Sequence, residues 1–120
     1  MKTFIAVAIL MTLSVFSIAE ARVKVTGHGE KLNFSREGIP EKYKSAFNLM
    51  QEKCIKCHTM ERTVIAVQTG RAPITGQPFN KQAVKAYAIT MLRKQNSDFN
   101  KKEMLDIVVL LNYLLDENAK

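Results

Sequence analysis

The stretch "KCIKCHTMER", residues 53–62, holds both cysteines of this 120-residue chain and one of its two histidines. The cysteines stand three apart, and His58 follows the second directly. Cys54-Ile55-Lys56-Cys57-His58 has the spacing of a covalent haem attachment site. Two thiols can add to the two vinyl groups on one porphyrin edge when two intervening residues let the backbone turn. The next residue then falls under the ring, where an imidazole nitrogen can bind the iron. The expectation is one haem c per chain, linked through Cys54 and Cys57, with His58 as the proximal iron ligand.

Other uses of two neighbouring cysteines fit less well. A structural zinc site needs four ligands, and only His28 is left to complete the set. A thioredoxin-like dithiol opens a helix after a strand, whereas these cysteines follow a helical pattern and no βαβ unit is visible. A disulfide closing so short a loop removes little entropy from the unfolded chain.

The N-terminus reads as a secretory signal, residues 1–21. Lys2 supplies the positive start, and residues 4–19 are apolar apart from Thr12, Ser14 and Ser17. Ala19 and Ala21 give the small-x-small cleavage pattern. The 16-residue apolar run is short of the roughly 20 residues a membrane span needs. Export, with cleavage near Ala21 and no membrane insertion afterwards, is therefore expected, and a periplasmic location suits haem attachment outside the cytoplasm. Cleavage removes one lysine and one glutamate and leaves the formal charge at +7. That basic balance favours acidic partners. The basic residues are spread along the chain with no groove-reading motif, which argues against a nucleic-acid role.

The exported chain divides into an N-terminal arm, 22–39, and a helical domain, 40–120. The arm is glycine-punctuated, with alternation at Val23 and Val25 and a turn at Gly27-His28-Gly29. Pro40 opens a helix whose face carries Tyr43, Ala46, Phe47, Met50 and Cys54. The middle reads as loop-rich, with "TGRAPITGQPFN", residues 69–80, broken by glycine and proline. Asn80 caps a second helix, stapled by Phe79 and Val84, that stops near Gln95. Asn100 caps the last helix, with Glu103 placed for a capping box and Phe99 and Met104 for a staple. "MLDIVVLLNYLLDE" is apolar almost all round, so burial is expected on every side.

A six-coordinate iron needs a second ligand. Met50 and Met60 lie too close to the attachment motif to pass round the ring. Met91, Met104 and His28 remain. Met104 has a packing task at its helix start, and His28 sits in a turn between glycines. Met91 ends the stripe of the second helix 33 residues past His58, ample chain to reach the distal face, and it is preferred. Phe47, Leu92 and Leu111 are candidates to surround the ring. Lys42, Lys44, Lys53, Lys56 and Arg62 are candidates for a positive rim around an exposed haem edge.

With these elements in place, residues 40–115 resemble the class I monohaem c-type cytochromes. "CIKCH" after a helix carries the likeness, as does a final helix bearing "LLNYL", residues 111–115. Ala46 matches a small family position, and Met50 stands where the family has an aromatic. The tract "ITMLRKQNSDFNKKEMLDIVVLLNYL" is similar to a periplasmic subgroup in which the distal methionine precedes an Arg-Lys pair, the place held here by Met91. In the family a proline after the histidine orients the imidazole, and both Pro73 and Pro78 are candidates. The resemblance implies an all-α, cytochrome c-like fold wrapped round one haem, His/Met ligation, and one-electron transfer between extracytoplasmic redox proteins rather than enzymatic catalysis. The alternatives are a haem-based ligand sensor, should the distal methionine be weak, and a thiol oxidoreductase.

Overall fold

The computed structural model describes residues 23–56, 58–96 and 98–120, without the side chain of Lys56. The signal segment, Arg22 and Cys57 lie outside the described residues. The chain is mostly helical, with four α-helices and one two-stranded sheet among the described residues.

The N-terminal arm forms a hairpin. Strand β1, Val25–Thr26, pairs antiparallel with β2, Asn33–Phe34, with Val25 opposite Phe34. The connection demands glycine at position 27. Its φ is +81°, and a Cβ there would stand 2.2 Å from the Lys31 carbonyl oxygen. The hairpin is not a loose extension, because Val23, Phe34 and Ile39 are buried in the same apolar core as the helices. Asn33 and Gln51 exchange amide hydrogen bonds, the Gln51 Nε2 to Asn33 Oδ1 contact being 2.9 Å, and this fastens the hairpin to the first helix.

That helix follows Pro40 through a 3-10 turn, Glu41–Tyr43, and continues as α1, Lys44–Lys53. It buries Ala46, Phe47 and Met50, the face the periodicity predicts. A second 3-10 turn, Cys54–Lys56, carries the first cysteine out of the helix.

The middle of the chain departs from the loop-rich expectation. Helix α2, Glu61–Thr69, buries Val64, Ala66 and Val67 and ends where Gly70 turns left-handed with φ +69°. β-branched residues make "RTVIAVQT" a poor helix former in isolation. Burial of one face against the core overrides that preference. Residues 70–80 then form a loop closed on itself, with Phe79 N–H donating to the Gly70 carbonyl at 2.7 Å and Ala72 N–H to the Gln77 carbonyl at 2.9 Å.

Helix α3, Lys81–Arg93, begins at the expected cap, where Asn80 Oδ1 accepts from the Ala83 N–H at 2.9 Å. Helix α4, Lys101–Ala119, begins with the full capping box of Asn100 and Glu103. It is central, packing on α1, α2 and α3. Tyr113 of α4 meets Tyr43 at the α1 contact, ring centroids 4.7 Å apart. Burial of α4 on every side does not hold: Leu105 is 61% exposed and Val109 45% exposed, since three neighbours cover only part of its circumference. No helix among the described residues is long and apolar enough to cross a membrane.

Candidate functional site

Between α1, the 70–80 loop, α3 and α4 lies a cavity of about 340 Å³, within the roughly 300–1,000 Å³ span of small-molecule and cofactor sites. Helical spacing builds its walls. Met104, Ile107, Val108 and Leu111 line it from α4, and Val84, Tyr87, Ala88 and Met91 from α3; each set recurs at the three- and four-residue steps that share a helix face. Arg62 and Ala66 repeat the pattern from α2, and His58 joins them from the turn before it.

The cavity brings together three of the four residues singled out from sequence: Cys54, His58 and Met91. The fourth, Cys57, is outside the described residues. Cys54 arrives at the end of α1, His58 just after it, and Met91 in the last turn of α3. His58 is half-buried, and its Nδ1 lies 2.9 Å from the Thr59 carbonyl oxygen. A carbonyl only accepts, so Nδ1 is the protonated nitrogen and Nε2 keeps the lone pair a metal requires.

The remaining candidates separate cleanly. Met104 and Met50 line the cavity, while Met60 is buried and does not. His28 is exposed in the hairpin turn, away from the cavity. Pro73 lines the cavity and Pro78 does not. Of the three residues expected around a ring, Leu111 lines the cavity; Phe47 is buried in the core on another side, and Leu92 is half-buried but not part of the lining.

The expected positive rim also needs revision. Lys53 is not a solvated charge: its side chain is only 15% exposed, and its ammonium lies 2.9 Å from Glu103 Oε2. It also donates to the Asp98 carbonyl and stands 5.6 Å from the centre of the Phe99 ring. The hydrogen bond to Glu103 holds the Lys53 ammonium above the usual lysine range. The same bond, with the Asn100 N–H, holds the Glu103 carboxyl below the usual range. Lys53 is thus a strut from the start of the cysteine motif to the turn that follows α3. Lys44 pairs with Glu41 at 3.1 Å, and Lys42 stands over the Tyr43 ring.

Fit to a haem can be judged on these residues. The lining is mostly apolar, a thiol and a metal-competent imidazole sit close in sequence at one part of it, and a thioether enters from another helix. This donor set suits a porphyrin. Among the described residues no group of three or more His, Cys, Asp or Glu side chains could hold a bare metal ion. The sequence reading missed helix α2 and the loop residues Ala72, Ile74 and Thr75; the step of four from Arg62 to Ala66 was the available signal for α2. Compared with models of protein families, with curated proteins and with solved structures, the chain shows no significant match to any.

Proposed function

We propose that the chain holds one haem c in this cavity and transfers single electrons between extracytoplasmic redox proteins. The observation that carries the reading is the convergence of Cys54, His58 and Met91 on one largely apolar cavity. When bound, the haem supplies an iron that takes up or gives up one electron with no other bond changed. The protein's own residues set the terms. Cys54 and Cys57 fix the ring by thioether links. His58 offers Nε2, its orientation held through Nδ1 and the Thr59 carbonyl. Met91 offers a thioether sulfur, which favours the reduced state more than a second imidazole would. Ile107, Val108 and Leu111 exclude water and disfavour the extra charge of the oxidised state. The basic balance of the chain suits partners with acidic docking surfaces.

The test is to purify the protein from a host that matures c-type haem. A red protein whose intact mass exceeds the exported chain by one haem is expected, and C54A/C57A should be colourless. Colourless wild type with alkylatable thiols would replace this function with thiol chemistry. The oxidised protein should show the weak far-red band of sulfur-to-iron charge transfer, lost in Met91→Ala and kept in Met104→Ala. A band absent from wild type would favour a ligand-binding sensor instead.

A further inference from the structure

Resting on the haem reading above, we infer that Arg62 and Lys94 form the site for the two carboxylates of the porphyrin. Among the described residues they are the only lysine or arginine that line the cavity, and no described aspartate or glutamate lines it. Among the described residues, neither side chain has an ion pair or hydrogen bond. Lys44, Lys53 and Lys81, in contrast, each meet a carboxylate. Two exposed cations at the border of a mostly apolar cavity, with no counter-ion among the described residues, are suited to an anionic ligand.

Their positions match the need. Arg62 stands four residues after His58, in the first turn of α2, and Lys94 three residues after Met91, just past the end of α3. Each proposed iron ligand is therefore followed within four residues by one of the two cations. A haem is apolar over most of its surface and carries two carboxylates, and a carboxylate taken from water without a partner is costly. Arg62 offers a planar fork that can bind one carboxylate through two parallel hydrogen bonds, and Lys94 offers a compact charge for the other.

The consequence is electrochemical. Carboxylates paired with cations stay ionised in weak acid, so the midpoint potential of the wild type is flat between about pH 5 and 8. The other titratable side chains facing the cavity are Cys54, His58 and Tyr87, and in the loaded protein Cys54 and His58 are taken up as thioether and ligand.

Potentiometric titration of the haem-loaded protein across that pH range tests the assignment. Arg62→Gln and Lys94→Gln should each lower the potential at neutral pH, because a positive charge that opposes oxidation is gone. Each should also make the potential rise as pH falls, because an unpaired carboxylate protonates. Arg62→Lys should restore part of the flat profile. Lys85→Gln, which removes an exposed α3 charge away from the cavity, should leave the profile flat. Red, haem-bearing variants with the flat wild-type profile would overturn this inference and leave the electron-transfer reading standing. A colourless wild type would overturn both. The redox difference infrared spectrum of wild type gives a reading independent of substitution: ionised haem carboxylates throughout support the pairing, and a protonated-acid band near pH 6 overturns it.

Discussion

Helices α3 and α4 lie side by side, and each starts at an asparagine cap, yet they are anchored differently. α4 buries Met104, Ile107, Leu110, Leu111 and Leu114, whereas α3 buries only Val84 and Ala88 in 13 residues. α4 touches three other helices; the main neighbour of α3 is α4. Val84 and Ala88 also line the cavity, and Tyr87 and Ile89 remain exposed. The hairpin, α1, α2 and α4 thus share a core that closes on itself. α3 and the 70–80 loop add Val84 and Phe79 to that core and otherwise border the cavity. A group bound to the folded chain adds stability where it makes its contacts, so loading should matter most for α3.

The largest expected effect tests the self-contained side. Phe34→Ala removes a ring that is 1% exposed and should cost about 3–5 kcal/mol in urea unfolding, as for other deeply buried phenylalanines. A cost below about 1 kcal/mol would show the hairpin to be an accessory and dissolve the contrast. Next comes hydrogen exchange on the haem-free C54A/C57A chain. Amides of α3 should exchange at least about tenfold faster than those of α4, through local opening of the less anchored element. Equal protection would mean α3 needs no help from the cavity.

The smallest effect sharpens the comparison from the core side, through the Lys53–Glu103 tie between α1 and α4. Glu103→Gln keeps a capping-box side chain but removes the charge. The carboxyl is lowered in the folded chain, so its contribution is present above the ordinary glutamate value of about 4.3 and is lost as pH falls through the lowered value. The ammonium is raised, so its contribution is complete below the ordinary lysine value of about 10.4 and is lost as pH rises through the raised one. Wild type should therefore melt modestly higher than Glu103→Gln between about pH 5 and 10, with the gap closing toward pH 2–3. An unchanged gap in acid would assign the effect to shape rather than charge.

Much of this arrangement was legible in the chain. The caps at Asn80 and Asn100, the face of α1 and the glycine-marked loop follow from local rules, and the structure has each of them. α2 was not legible because Thr63, Val64, Ile65 and Val67 disfavour a helix until tertiary contacts bury one side of it. The exposure of Leu105 and Val109 was hidden for the opposite reason: composition reports how apolar a helix is, not how many neighbours surround it. Lys53 read as a surface charge because Glu103, its partner, lies 50 residues away. The same limit applied to the cavity, where Arg62 and Lys94 acquire meaning only once four helices stand around the same space.

The turn at Gly27 carries a last implication. With the Lys31 carbonyl oxygen only 2.2 Å from where a Cβ would sit, even alanine there forces the hairpin apart, and with it go the placement of Phe34 and the amide pairing to Gln51. Gly29 and Gly76 share the left-handed backbone but have open space beside them. In a saturation screen position 27 should therefore be the most intolerant glycine, a single hydrogen atom deciding whether the front of the polypeptide docks at all.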